Sequence, residues 1–138
     1  MKAAFLALLL SATQSIKIRD DDKPEPPAYK LDVNSYGQTP GGMCRDGDTA
    51  SMWYTGKLLD GTTFDSNVNS GEMFKFTLGQ GMVISCWDTS IAQMKVGEKA
   101  TLTCPPDMAY GERGAGDKIP PNATLKFDVE VANCENRF

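Results

Sequence analysis

A single helix-start signal, at residues 81–88, constrains the fold of this chain more than any other feature. Ser85 followed by Asp88 resembles a capping box, with Asp in place of the usual Glu or Gln, and predicts a helix that begins at Cys86. Apolar residues then recur at helical spacing on one face, and they are Trp87, Ile91 and Met94. With a glycine stop at Gly97, the pattern predicts one amphipathic helix of about three turns whose buried face carries Trp87.

The other periodic segments alternate apolar and polar residues, which is typical of strands with one buried face. They are residues 29–36, 49–55, 62–66, 73–78, 98–104 and 123–132. Leu59-Asp60-Gly61 predicts a hairpin turn, and the polar residues 67–72 predict one strand interrupted by a loop or bulge. Five or six strands and one helix predict an α+β fold in which an antiparallel sheet wraps around a single short helix.

The N-terminal segment has the composition of a targeting sequence. Lys2 precedes the apolar run 3–10 and a few small polar residues, so residues 1–15 are predicted to be a secretory signal peptide. Residues 16–28, with three Asp and three Pro, predict a flexible leader. The folded domain is therefore expected at residues 29–138, in a protein that is secreted or resides in the endoplasmic reticulum lumen.

The composition of the 138 residues narrows the function. The formal net charge is −4 and Lys and Arg are not clustered, which disfavours a nucleic-acid partner. No second apolar segment predicts a membrane anchor. The chain contains no His, which removes the commonest metal ligand and the commonest general base. Any chemistry of this chain must therefore come from other groups.

Four cysteines in an exported chain predict two disulfides. Their spacing contains no Cys-x-x-Cys, so neither a redox motif nor a zinc site is indicated. Three pairings are possible. Alternation places Cys104 on the strand face that the helix would cover, and Cys86 lies in the first helical turn. This favours a Cys86–Cys104 bridge and leaves Cys44 to pair with Cys134.

Aromatic side chains are concentrated on the faces predicted to meet the helix, namely Tyr54, Phe64, Phe74, Phe76, Trp87 and Phe127. This pattern fits a close-packed aromatic core as well as a lined cavity. Asp65 directly follows Phe64 and should point to the opposite face unless the strand bulges there. Tyr110, in the aperiodic stretch 107–122, is either a buried anchor or a hydroxyl donor. Asn122 begins an Asn-Ala-Thr glycosylation sequon.

Seven short motifs, taken in order, resemble those of the FKBP-type peptidyl-prolyl cis/trans isomerases. They are WYTGKL at 53–58, GTTFDS at 61–66, FKFTLG at 74–79, VI at 83–84 with Trp87, MKVGE at 94–98, AYG at 109–111 and IPPNATLKF at 119–127. Each motif is weak alone, but the ordered set, over about residues 29–131, is specific to this family.

The resemblance implies a half-wrapped sheet around a short helix, with a cavity between them that binds a proline ring. The implied substrate-binding residues are Tyr54, Phe64, Phe74, Phe76, Val83, Trp87, Ile119 and Phe127. Trp87 would form the floor of the cavity and Ile119 its outer lip. The implied catalytic groups are the side chains of Asp65 and Tyr110 at the rim and the backbone N–H of Ile84.

The function that the resemblance implies is rotation about X-Pro bonds during the folding of exported proteins. Proline-containing polypeptides would be the substrates, macrolides the inhibitors, and the protein a monomer. The lack of His agrees with this chemistry, because amide rotation requires no proton transfer, and the resemblance implies no metal and no cofactor. Ser70, where the family often has a basic residue, and Lys118, in place of an apolar residue, leave open a non-catalytic chaperone or adaptor that binds proline and macrolides. A disulfide scaffold without a pocket is the remaining alternative, and it requires the aromatic residues to be close-packed core.

Overall fold

The structure is a computed structural model that describes residues 27–35 and 42–136. The strands are β1 (Lys30–Ser35), β2 (Thr49–Leu58), β3 (Thr63–Ser66), β4 (Phe74–Thr77), β5 (Lys99–Cys104) and β6 (Leu125–Glu135), and the helix α1 is Ser85–Ile91. Two short 3₁₀ turns, Pro106–Met108 and Gly111–Arg113, follow β5. The predicted signal peptide and most of the predicted leader lie outside the described residues. Within the two described ranges, no helix has the length and apolarity needed to cross a membrane.

The six strands form one antiparallel sheet in the order β1-β5-β6-β2-β3, and β4 also pairs with β2. β3 pairs with residues 55–57 of β2, whereas β4 pairs with residues 49–52. β3 and β4 are therefore two pieces of one interrupted edge strand, as the sequence predicts. The α+β fold, with a six-stranded antiparallel sheet and a short helix, is confirmed.

One face of the sheet is buried against α1. Along β6 the side chains alternate between buried Phe127 and Val129 and exposed Lys126 and Asp128. The largest fully buried side chains of the core are Phe76, Met52, Leu78, Ile91, Met94, Leu102, Leu125 and Val131. Burial of these apolar groups is the dominant favourable contribution to the fold.

The helix differs from its prediction at both ends. It begins at Ser85, one residue early, and its N-cap Ile84 makes no side-chain capping bond. The Asp88 carboxylate instead accepts hydrogen bonds from the N–H groups of Gly79 (3.0 Å) and Gly81 (3.2 Å) in the preceding loop. The capping-box prediction was therefore wrong, because this carboxylate satisfies loop donors instead. The helix has seven residues, about two turns rather than three.

The predicted apolar face is nevertheless present, because Trp87, Ile91 and Met94 are all buried. Both disulfides have the pairing that the alternation favours. Cys44 is bonded to Cys134 with a Cα–Cα distance of 5.6 Å, and Cys86 to Cys104 with 5.7 Å. The first bridge joins the start of the domain to β6, and the second joins α1 to the end of β5.

Candidate active site

A cavity of about 230 Å³ opens between the start of α1, the strands β2 to β4 and the loop between β5 and β6. Its lining residues are Tyr54, Phe64, Asp65, Phe74, Met82, Val83, Ile84, Trp87, Tyr110 and Phe127. Nine of these ten were singled out from the sequence, and Met82 is the addition. The structure thus brings residues from six separate segments of the chain to one place.

Trp87 forms the floor of the cavity and is only 5% exposed. Tyr54, Phe127 and Phe74 surround the indole edge-on, with ring centroids at 5.0, 5.2 and 5.8 Å. Edge-to-face contacts of this kind are the favoured geometry for aromatic rings. Within the described part of the chain, the indole nitrogen has no hydrogen-bond partner. The floor is therefore a surface of close-packed aromatic rings.

Two residues assigned to the cavity lie elsewhere. Phe76 is 2% exposed and packs behind the rings of Phe74 and Trp87, with centroids at 6.0 and 6.1 Å. It shares the strand face of Phe74 but lies two residues deeper, opposite Ala50, so it supports the floor from the core. Ile119 is buried and lines an adjoining hollow of about 450 Å³ rather than an exposed lip.

The wall formed by β3 contains a bulge that turns two successive side chains toward the cavity. Asp65 is paired with Gly56, but Lys57 is paired with Thr63, so Phe64 is an extra residue in β3. A bulge re-aims the side chains of its strand, and both Phe64 and Asp65 line the cavity. The sequence allowed Asp65 to face the pocket only if the strand bulged there, and the strand does bulge.

Gly56, opposite this bulge, is a site residue that the sequence reasoning missed. A Cβ atom on Gly56 would lie 2.5 Å from Cζ of Phe64 and 2.8 Å from Cε1 of Phe127. These two rings pack edge to face, with centroids 5.6 Å apart. The absence of a side chain on Gly56 is what lets both rings reach the wall, and a glycine inside a strand was the available signal.

Asp65 is the acidic group at the rim, and Tyr54 holds its carboxylate. The Tyr54 hydroxyl donates a hydrogen bond of 2.7 Å to Oδ2 of Asp65. Burial, together with the hydrogen bond and charge of Asp65, raises the pKa of Tyr54 well above its ordinary value. Burial also raises the pKa of Tyr110, with a further contribution from the Asp65 charge. Both phenols are therefore neutral hydroxyl donors at physiological pH.

Ser70, which stands where the family often has a basic residue, bonds within its own loop. The Ser70 hydroxyl donates to the carbonyls of Asn67 (2.8 Å) and Glu72 (2.9 Å), within its own loop. The orientation of Asp65 comes from Tyr54 instead, across the two neighbouring strands.

Ile84 places its backbone at the cavity wall, just before the helix. Its carbonyl accepts hydrogen bonds from the N–H groups of Trp87 (3.0 Å) and Asp88 (3.3 Å). Its own N–H has no partner among residues 27–35 and 42–136. A backbone donor that is not bonded within the described protein and lies beside a cavity is available to a ligand carbonyl.

Comparison with known protein families identifies the family of this chain. Residues 41–132 match the family described as FKBP-type peptidyl-prolyl cis-trans isomerase. The chain belongs to this family. It is 54% identical over 92 residues to "FK506-binding protein 2" of Yarrowia lipolytica, a match that covers 67% of this chain and 64% of that protein.

Two further relatives extend the comparison. Over 85 residues the chain is 55% identical to the human "Peptidyl-prolyl cis-trans isomerase FKBP4", covering 62% of this chain and 18% of that protein. It is 50% identical over 91 residues to the Drosophila melanogaster "Peptidyl-prolyl cis-trans isomerase Fkbp12", covering 66% and 84% of the two chains. The matched segment is therefore one part of some relatives and most of others.

The FKBP-type cavity of this chain has its own rim. Met82, which is 62% exposed, contributes an apolar edge before α1. Across the cavity, Nζ of Lys118 donates to the Phe64 carbonyl at 3.4 Å and links the β5–β6 loop to β3. Asn122 is exposed on the same loop, with a φ of 58°, and its N–H donates to the Gly111 carbonyl at 2.9 Å. The rim thus combines apolar and charged groups above an apolar floor.

Proposed function

We propose that this chain catalyses cis/trans isomerisation of X-Pro peptide bonds, with the proline ring seated on Trp87. The observation that carries this proposal is the aromatic cavity, in which three rings meet the Trp87 indole edge-on. Its floor and walls are apolar, while Asp65, Tyr110 and the Ile84 N–H supply polar groups around them. A small apolar ring flanked by amides fits such a combination.

The physical problem that this site addresses is the barrier to amide rotation. Resonance in the C–N bond gives a barrier of about 18–20 kcal/mol, and rotation must break it without making or breaking a covalent bond. The planar amide is more dipolar than the twisted one, so a site that excludes water favours the twisted form. Each gain of about 1.36 kcal/mol in the transition state over the ground state raises the rate tenfold.

Each polar group then has a role in orientation. The Ile84 N–H donates to a substrate carbonyl and holds the peptide across the floor. Asp65, held by Tyr54, and the Tyr110 hydroxyl orient the peptide at the rim. No group has to accept or release a proton in this scheme.

The same cavity is proposed to bind the macrolides tacrolimus and rapamycin, which would compete with peptide substrates. We also propose that the clients are proline-containing chains of the secretory pathway. The two disulfides support this location, because such bonds persist in oxidising compartments. Free thiols at these four cysteines in protein isolated from its native source would contradict the location.

The decisive experiment measures isomerisation of a proline-containing tetrapeptide with a matched pair of tryptophan variants. Trp87→Leu removes the floor, whereas Trp53→Leu changes the other tryptophan, which lies on the opposite face of the sheet. We expect acceleration by the wild type, loss of it in Trp87→Leu and its retention in Trp53→Leu. A wild-type rate equal to the uncatalysed rate would refute the proposal.

Rapamycin separates the catalytic function from simple binding. In the catalytic case it abolishes the acceleration at stoichiometric concentration. Tight rapamycin binding by a wild-type protein that accelerates nothing would instead identify a non-catalytic chaperone or adaptor.

A further inference from the structure

The interruption between β3 and β4 leaves a gap in the edge of the sheet beside the active site. β4 pairs with β2 as far as Met52, and β3 resumes the pairing at Thr55. Among the described strands, Trp53 and Tyr54 therefore have no partner on this edge. An unpaired stretch of backbone is ordinarily a weak point of a sheet, yet here it carries a residue of the cavity wall.

Asn67 occupies this gap and replaces the missing strand. Its Oδ1 accepts a hydrogen bond of 2.7 Å from the Tyr54 N–H, and its own N–H donates to the Tyr54 carbonyl at 3.1 Å. Its Nδ2 donates to the carbonyls of Met52 (2.9 Å) and Glu72 (3.3 Å). One residue thus bonds to both backbone groups of Tyr54, whose carbonyl also accepts from the Ser66 hydroxyl at 3.1 Å. It also joins the last residue of the β4 pairing to the loop.

Tyr54 transmits this constraint to the reacting centre. Its ring lies 5.0 Å from the Trp87 indole and 6.0 Å from the Phe74 ring, between centroids. Its hydroxyl donates to the Asp65 carboxylate. A shift of the Tyr54 backbone would therefore move a wall of the cavity and the acidic group at its rim together.

We infer that Asn67 is a positioning residue for the proline pocket, acting through Tyr54 on both the aromatic wall and Asp65. The inference rests on the proposed isomerase function of this cavity. Because the loop supplies the contact through a side-chain amide, residue 67 must both accept and donate hydrogen bonds. Asn does both, whereas a carboxylate only accepts.

Ser70 offers a control that is matched for loop stability. Its hydroxyl bonds to the carbonyls of Asn67 and Glu72 and accepts from the Glu72 N–H at 3.1 Å, so it closes the same loop. It makes no hydrogen bond to Tyr54. Ser70→Ala therefore weakens the loop without removing the contacts to the cavity wall.

The experiment compares Asn67→Ala, Asn67→Asp and Ser70→Ala in the peptide isomerisation assay, at a temperature where circular dichroism shows each to be folded. We expect kcat/KM to fall about tenfold in Asn67→Ala, the scale of a lost geometry-holding hydrogen bond. Asn67→Asp should be intermediate, because it keeps an acceptor for the Tyr54 N–H but loses the donor to Met52. Ser70→Ala should retain wild-type kcat/KM despite a lowered melting temperature.

A double-mutant cycle with Tyr54→Phe tests the route of the effect. If Asn67 acts through Tyr54, the loss caused by Asn67→Ala is smaller in the Tyr54→Phe background than in the wild type. Additive losses, or an equal loss of activity in Ser70→Ala, would overturn the inference while leaving the isomerase function intact. An inactive wild type would overturn both.

Discussion

The floor of the cavity and the loop that forms its rim are built in different ways. The floor is a buried surface of interlocking rings on α1, β2 and β6, and the Cys86–Cys104 bridge joins α1 to the sheet. The rim loop, between β5 and β6, is held by the paired backbone groups of Ala115 and Ile119 (2.9 and 3.1 Å) and by the weak Lys118 contact. For the proposed isomerase, we expect the floor to provide affinity for proline and the loop to discriminate among flanking residues. Changes to the floor should therefore have the larger effects.

Removing each disulfide in turn sharpens this contrast most strongly. The Cys44–Cys134 bridge spans 90 residues and the Cys86–Cys104 bridge 18. From loop length, chain entropy predicts losses in the free energy of unfolding of about 4.5 and about 3 kcal/mol, respectively. Activity should follow the reverse order, because only Cys86 adjoins the Trp87 floor.

Urea unfolding and the isomerisation assay test these opposite orders of stability and activity on the two double Cys→Ala variants. The Cys44/Cys134 variant should be the less stable and the more active of the two. If the Cys86/Cys104 variant kept full activity, the bridge would have no part in fixing the floor.

Gly56→Ala tests whether the wall must be this closely packed. The added methyl group would collide with the rings of Phe64 and Phe127. Overpacking of this kind costs about 1–3 kcal/mol and displaces side chains, so we expect lower stability and a loss of most of the activity. Gly42→Ala is the control, because no atom of the described residues lies within 4 Å of its Cβ position. Equal behaviour of the two variants in thermal melts and kinetics would refute the role of Gly56.

The raised pKa of Tyr54 predicts how the stability of the folded protein depends on pH. In the unfolded chain the phenol ionises near its ordinary pKa, about 10, whereas in the folded protein burial and Asp65 keep it neutral to higher pH. As pH rises, ionisation therefore stabilises the unfolded state first, so this contribution to stability is complete below pH ~10 and is lost above it.

Melting temperatures of the wild type and Tyr54→Phe between pH 7 and 11 check this sign. Tyr54→Phe should lose about 1 kcal/mol at pH 7, one hydrogen bond, and should decline less steeply above pH ~10. A steeper decline in the variant would show that the phenol is not responsible. Catalysis should be nearly independent of pH from 6 to 9, because neither phenol ionises there.

Lys118→Ile tests the rim and should have the smallest effect. The Lys118 ammonium is exposed and its contact with the Phe64 carbonyl is long, so stability should change by less than about 1 kcal/mol. For a peptide with Ala before proline, kcat/KM should stay within about threefold. The ratio of kcat/KM for a peptide with Glu beside proline to kcat/KM for a peptide with Leu beside proline should fall. An unchanged ratio would remove Lys118 from substrate selection.

Much of the fold was accessible from periodicity. The alternation along β2 and β6 predicted which side chains meet the helix, and the same reasoning paired Cys86 with Cys104. Periodicity reports the face of a strand, however, and not the position along it. This is why Phe76 was placed in the cavity although it lies deeper than Phe74, and why Asn67 was passed over as a loop residue.

Residue type and spacing within short segments were enough to predict the α+β class, the aromatic faces and the ordered FKBP-type motifs. The folded protein was needed to show that Asp65 shares the cavity with Phe64, that Gly56 makes room for two rings and that Asn67 holds Tyr54. These features depend on how residues distant in sequence pair across the sheet. A one-residue bulge or a single side-chain hydrogen bond leaves no periodic trace in the chain.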